Sequence, residues 1–301
     1  DSTGPFFPPK CHPDTRRETL DTLYRWASEI TSGSGNILWL QGPMGAGKST
    51  ILHTLTQRLH AAGRFGGGFI FPRKYKTRGN ANTLFCAIAY QLATNIPRLR
   101  APISQAVRRN PGIVGERFSI QLEELILEPF RAVVDLNPLT LVIDGLDQCQ
   151  LEVQQEILCL LGTAAQSQPS QLRILIVSTS EDCIAEILAE PCFNGICRSF
   201  DVERSLGDVR TYLAAEFTGM PHTCVESTGG GGCITSPRLS PDVFNRLIES
   251  SSGCFLYAST LIRFLGDAKF CPLARLTDIV ESLPLNPLNS PVDNLYSQIL
   301  A

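Results

Sequence analysis

The stretch Trp39-Leu-Gln-Gly-Pro-Met-Gly-Ala-Gly-Lys-Ser-Thr-Ile-Leu-His-Thr-Leu55 decides the fold. Within it, Gly42-Pro43-Met44-Gly45-Ala46-Gly47-Lys48-Ser49 fits the phosphate-loop pattern G-x-x-x-x-G-K-[ST]. The chemistry needs each part of that spacing. Glycines let successive backbone N–H groups turn inward on phosphate, and a helix N-terminus behind them favours negative charge. Lys48 is then placed at the β/γ-phosphates and the Ser49 hydroxyl at Mg²⁺, with Thr50 next in the loop-to-helix junction. The bland alternative is a glycine-rich turn between a strand and a helix. Context argues against it, because Asn36–Leu40 reads as a buried strand before the loop. After the loop, Ile51, Leu52, Leu55 and Leu59 share one helical face over 49–62 before Gly63 ends the run.

The rest of the chain extends the same alternation. Strands are expected at 68–72, 140–144, 172–178 and 198–202, with helices at 14–30, 82–95, 119–134 and 152–165. The run Thr140-Leu-Val-Ile-Asp144 is apolar without alternation, as in a strand covered on both faces. Strands alternating with helices imply a parallel, doubly wound sheet: an α/β P-loop three-layer αβα fold. From about Ser205 only helical periodicity remains, at 208–217, 240–252, 254–265 and 276–283, broken by the low-complexity stretch Ser227–Cys233. The expected organisation is a helical lead-in over 1–35, a nucleotide-binding domain over 36–204, a helical domain over 205–290 and the start of a further domain over 291–301.

A second motif follows the strand Thr140–Asp144, in Leu141-Val-Ile-Asp-Gly-Leu-Asp-Gln-Cys149. A carboxylate at the carboxyl end of a central strand lies where ligands bind in open α/β sheets, and Asp144 takes the position that supports Mg²⁺. Asp147 is either an acid that orients or deprotonates an attacking water or a cap on the helix that follows. The fourth strand ends in Ser178-Thr179-Ser180-Glu181, whose hydroxyls are either a polar nucleotide sensor or a helix cap. The basic run Arg73-Lys74-Tyr75-Lys76-Thr77-Arg78 is either a solvated loop or a nucleotide or partner contact.

Composition narrows the rest. With 301 residues, 43% hydrophobic, 18% charged and a net charge of −3, the chain reads as a folded protein, and no nucleic-acid partner is expected. No apolar run approaches the roughly 20 residues that span a bilayer. The opening DSTGPFFPPK has no secretory pattern, and the 11 cysteines form no CxxC pair, so a reducing, cytoplasmic setting without disulfides is expected. His12, His53, His60 and His222 form no ligand array, so no zinc site is expected, and Trp26 and Trp39 read as core or interface residues.

Taken together, CHPDTRRETLDTLYRWA, ILWLQGPMGAGKST, LFCAIAYQLATNIPRL, LTLVIDGLDQC, DVRTYLAAEF and GCFLYASTLIRFLGD resemble the NACHT branch of the STAND NTPases, in particular its fungal, nephrocystin-type group. The resemblance implies a signalling switch that binds ATP or GTP with Mg²⁺, hydrolyses it slowly, and forms a homo-oligomer when activated. Effector and sensor domains, and the winged helix of such switches, would lie outside these residues. It also implies that Lys48 and Ser49 hold phosphate and metal, that Asp144 supports the metal, that Asp147 assists hydrolysis, and that Cys11–Arg16 closes over the base. One departure matters: the family's Ser-Arg-Pro-Glu reads Ser178-Thr179-Ser180-Glu181 here, so Thr179 stands where a sensing cation is expected.

Overall fold

A computed structural model of the chain describes residues 9–28, 35–71, 81–168, 171–220 and 240–266, together with 275, 276, 279, 293 and 295. The basic run Arg73–Arg78, the Ser227–Cys233 stretch, His222 and nearly all of the expected helix 276–283 lie outside the described residues.

Five parallel strands form one sheet: β1 (Ile37–Gln41), β2 (Phe65–Ile70), β3 (Leu139–Asp144), β4 (Leu172–Val177) and β5 (Cys197–Asp201), in the order β2-β3-β4-β1-β5. Strands β3 and β4 are buried along their whole length, including Thr140 and Arg173. That is the burial expected of central strands covered on both faces. Register does the positioning: Ile70 pairs with Asp144, Asp144 with Val177, and Leu40 with Val177. The carboxyl ends of β1, β3 and β4 therefore finish level, on the edge where the phosphate loop begins.

Helices α1 (Arg17–Ser28), α2 (Lys48–Ala61), α3 (Leu84–Asn95), α4 (Pro97–Arg109), α6 (Leu151–Ser167) and α7 (Asp182–Leu188) alternate with the strands. A further one, α5, runs over Phe118–Leu122, a π-helical turn Glu123–Leu127 and Glu128–Ala132. Ile37, Trp39, Leu141, Ile143, Ile174 and Ile176 of the sheet share one core with Phe85, Ile88, Leu92, Phe130, Ile157 and Leu161 of the helices. Burying each such side chain contributes roughly 1.5–3 kcal/mol.

Several elements differ from the sequence expectation, α4 and β2 among them. Helix α4 is absent from it, because Pro97 and Pro102 read as breakers; Pro97 instead starts the helix, where a missing N–H costs nothing, and Leu99, Ile103 and Ala106 turn inward. Strand β2 begins at Phe65 rather than at residue 68, because Gly66-Gly67-Gly68 carries no side-chain pattern. The glycines serve close packing. A Cβ on Gly66 would come within 2.9 Å of Leu141 Cδ2, and one on Gly67 within 3.0 Å of Gln91 Cβ.

On the outer side of β2, Gln91 takes the place of a strand. Its Nε2 donates to Gly68 O (2.8 Å), its Oε1 accepts from Gly68 N (2.9 Å), and Asn95 Nδ2 reaches Gly66 O at 3.4 Å. The spacings are commensurate: four helical residues advance about 6.0 Å and two strand residues about 6.6 Å.

The chain divides into two compact units. The first comprises the sheet and its helices, with residues 18–43 and 48–202. The second takes in the chain from Glu203 on together with Cys11–Arg17 and Met44–Gly47. In the second unit, α8 (Leu206–Gly219), α9 (Pro241–Ser251) and α10 (Phe255–Leu265) pack Val209, Leu213, Leu247, Tyr257, Ala258 and Leu261 into a core of their own. Ser205 and Ser240 start α8 and α9, their hydroxyls accepting from Asp208 N and Val243 N. Among the described residues no helix is long and apolar enough to cross a membrane.

Candidate functional site

The first unit supplies the beginning and end of the phosphate loop. Gly42 leaves β1 at φ 152°, a conformation open to glycine, and a Cβ there would meet Val202 O at 2.4 Å. Lys48 opens α2 and folds back over the loop, its Nζ donating to Gly42 O (2.6 Å) and Pro43 O (3.0 Å). The loop is thus arched around its own lysine. Ser49 follows, and its Oγ donates to Asp144 Oδ2 at 3.2 Å across 95 residues of sequence. Thr50 lies within the first turn of α2, its carbonyl accepting from Thr54 Oγ1.

Asp144 ends β3 with 9% of its surface exposed, and a tight turn at Gly145 (φ 78°) carries the chain to Asp147, 7% exposed. Asp147 Oδ2 accepts from Thr179 Oγ1 (2.8 Å) and from Gln148 Nε2 (2.9 Å). Neither partner is a backbone N–H at a helix start, so the carboxylate is oriented by side chains. Ser178 is fixed in turn: its Oγ accepts from the buried Trp39 Nε1 (2.8 Å) and donates to Thr179 O (2.9 Å). The geometry therefore joins Ser49 to Asp144 and Thr179 to Asp147, whereas Thr179 stood in the sequence as a nucleotide contact. Gln148 and the Trp39–Ser178 link were not foreseen. Trp39, expected as a core or interface residue, is 5% exposed, and nothing local announces the partner of its indole N–H.

The second unit holds the middle of the loop. Gly45 (φ 81°) and Gly47 (φ 91°) flank Ala46, and Met44 is 61% exposed. Gly45 O accepts from Leu256 N (3.3 Å) and Cys254 Sγ (3.8 Å); Ala46 O accepts from Arg16 Nη2 (3.0 Å). Arg16 is 9% exposed. Its Nη2 also donates to Glu203 O (2.8 Å), and its guanidinium lies 5.3 Å from the centroid of the Phe255 ring. Its Nε stands 3.4 Å from Asp208 Oδ2, at ion-pair distance but without hydrogen-bond alignment. Burial pulls the Arg16 pKa down from the usual guanidinium value, opposed by the charge of Asp208.

Burial, with Asp147 beside it, pushes Cys149 up to about 11, and burial alone pushes Cys197 up to about 11. Among the described residues no group of three His, Cys, Asp or Glu side chains gathers around a metal position.

A glycine loop between a parallel strand and a helix, with an acid at the end of the neighbouring-but-one strand, defines a P-loop nucleotide-binding domain of three-layer αβα architecture with a helical part. The chain belongs to the nephrocystin 3 N-terminal family, whose profile matches residues 18–179. Solved structures with a similar fold include Cdc6p from Pyrobaculum aerophilum, at a TM-score of 0.53 and 15% identity, covering 88% of this chain and 64% of that one. The Orc1 protein of Aeropyrum pernix, solved in complex with DNA, is similar at a TM-score of 0.51 and 16% identity, covering 98% of this chain and 66% of that one. The chain spans just under two-thirds of each of these proteins. No curated protein sequence matches it.

Proposed function

We propose that this chain is the nucleotide-binding core of a NACHT-type signalling switch that binds ATP or GTP with Mg²⁺ and hydrolyses it slowly. The observation that carries the reading is the Ser49–Asp144 contact at 3.2 Å, made where the loop, α2 and β3 converge. Two hard oxygen donors, one neutral and one anionic, suit Mg²⁺, which binds through few protein ligands and keeps several waters. Ser49 and Asp144 would hold the ion, and bound Mg²⁺ supplies neutralisation of charge on the phosphate oxygens.

In this reading the loop's backbone N–H groups and Lys48 hold the phosphates, and Lys48 already lies along the loop. Asp147, held by Thr179 and Gln148 through Oδ2, keeps Oδ1 for a water and orients it as general base. Assembly into a homo-oligomer and effector and sensor domains outside these residues complete the switch. No nucleic-acid partner is included, since a net charge of −3 gives no footprint for a polyanion.

A second reading, a nucleotide-stabilised scaffold without turnover, draws on Thr179. Its hydroxyl is engaged by Asp147, and it brings no cation to a γ-phosphate. Single-turnover and steady-state hydrolysis of ATP and GTP by the 301-residue chain separates the two, with Lys48→Ala and Asp147→Ala beside it. Slow turnover lost in both variants supports the switch. Retained nucleotide with no turnover in the parent chain favours the scaffold, and normal binding by Lys48→Ala overturns the site itself.

A further inference from the structure

Three donors from outside the phosphate loop grip two consecutive carbonyls at its tip. Leu256 N, in the first turn of α10, reaches Gly45 O at 3.3 Å, and Cys254 Sγ approaches the same oxygen at 3.8 Å. Arg16 Nη2 reaches Ala46 O at 3.0 Å. A trans peptide points its C=O and the next residue's N–H in opposite directions. Holding Gly45 O therefore aims Ala46 N–H the other way, and holding Ala46 O does the same for Gly47 N–H. Those are two of the inward N–H groups on which an anion cradle depends.

The grip is built from parts that have few alternatives. Leu256 N is one of the N–H groups left free at the start of a helix, and the loop carbonyl satisfies it. Arg16 is itself in the left-handed region, at φ 56°, and its fork bridges Ala46 O and Glu203 O while its stem passes Asp208 and Phe255. A Cβ on Gly45 would lie 2.5 Å from Cys254 Sγ, so only glycine admits this approach.

We propose that Arg16 is a positioning residue for nucleotide binding: by holding the Ala46 carbonyl, together with Leu256 and Cys254 on Gly45, it ties the phosphate-binding form of the loop to the seating of α10. This rests on the functional reading above and goes beyond it, since it names the side chain that shapes the loop tip from within the second unit. Coupling of this kind is reciprocal: whatever α10 contributes to nucleotide affinity, nucleotide returns as order at the start of α10.

The test uses the whole 301-residue chain, titrated by calorimetry with MgADP and with MgGDP. Parent, Arg16→Gln, Arg16→Lys, Asp208→Asn and Lys48→Ala are compared, with hydrogen exchange at residues 254–258 followed with and without nucleotide. Arg16→Gln is expected to weaken the tighter nucleotide at least tenfold, with Arg16→Lys lying between it and the parent. Asp208→Asn, which weakens the carboxylate's hold on Arg16, is expected to weaken binding severalfold. Nucleotide is expected to slow exchange at 254–258 in the parent and not in Arg16→Gln.

Parent-like affinity in a folded Arg16→Gln overturns the proposal. Should that variant not fold, unchanged affinity in Asp208→Asn together with unaltered exchange at 254–258 in the parent overturns it instead. A parent that binds neither nucleotide, or a Lys48→Ala that binds as the parent does, removes the functional reading and this inference with it.

Discussion

Replacing Thr179 by valine deletes one hydroxyl and leaves the shape of the side chain. In the structure that hydroxyl donates to Asp147 Oδ2 at 2.8 Å, and Asp147 keeps a second donor on the same oxygen, Gln148 Nε2 at 2.9 Å. A hydrogen bond to a charged group is worth about 1.5–3 kcal/mol, and the remaining donor puts this loss at the low end, about 1.5 kcal/mol. If that energy goes into orienting Asp147 toward water, turnover falls about tenfold. Nucleotide affinity should change by less than about twofold, because the hydroxyl is committed to Asp147 and not to phosphate. Single-turnover hydrolysis alongside equilibrium titration measures both. A variant that loses tenfold in affinity with its turnover intact would refute the reasoning, since Thr179 would then be a nucleotide contact. Thr179→Arg tests the other side: if a missing cation limits hydrolysis, turnover rises, and an unchanged rate disposes of that idea.

Other consequences are as open to measurement. Phe130 is fully buried in the core between the sheet and its helices, so Phe130→Ala should cost about 3–5 kcal/mol by chemical denaturation, and a loss under 1 kcal/mol would contradict that packing. Cys149 rises from 9.0 to about 11, so at pH 8 its thiolate is depleted about a hundredfold. Alkylation mapped by mass spectrometry should label the exposed Cys183 and Cys192 long before it, and equal rates would refute the shift. Gly45→Ala places a Cβ at φ 81° and 2.5 Å from Cys254 Sγ; it should lower the melting temperature and abolish the nucleotide-induced rise in it, whereas a parent-like rise would show that the loop tip has room.

What the sequence discloses about this protein depends on how far apart the cooperating residues lie. The sheet was legible because β1, β3 and β4 carry the apolar runs Ile37–Leu40, Leu141–Ile143 and Ile174–Val177, and the phosphate loop because its chemistry is contiguous from Gly42 to Ser49. Strand β2 starts where three glycines erase any pattern, and α4 hides behind two prolines. In the site, Asp144 and Asp147 stand out by their place after a strand. The role of Thr179 does not, since its partner is 32 residues away, nor does that of Arg16, whose carbonyl and carboxylate partners lie 30, 187 and 192 residues off. A buried arginine among local neighbours DTRRE looks like any helix-entry charge until the chain is folded.

Gln91 has a bearing on how copies of the chain can meet. A strand at the rim of a sheet offers a row of free amide groups that another chain can continue, and such growth has no natural end. At Gly68 both of those groups are already occupied by one side chain standing in for the next strand, with Asn95 covering Gly66 a turn further on. The β2 rim is in effect a sealed seam. A further strand would have to displace these two side chains to pair there, and a single exchange, Gln91→Leu, would free both backbone groups of Gly68 and reopen the seam to edge-to-edge growth.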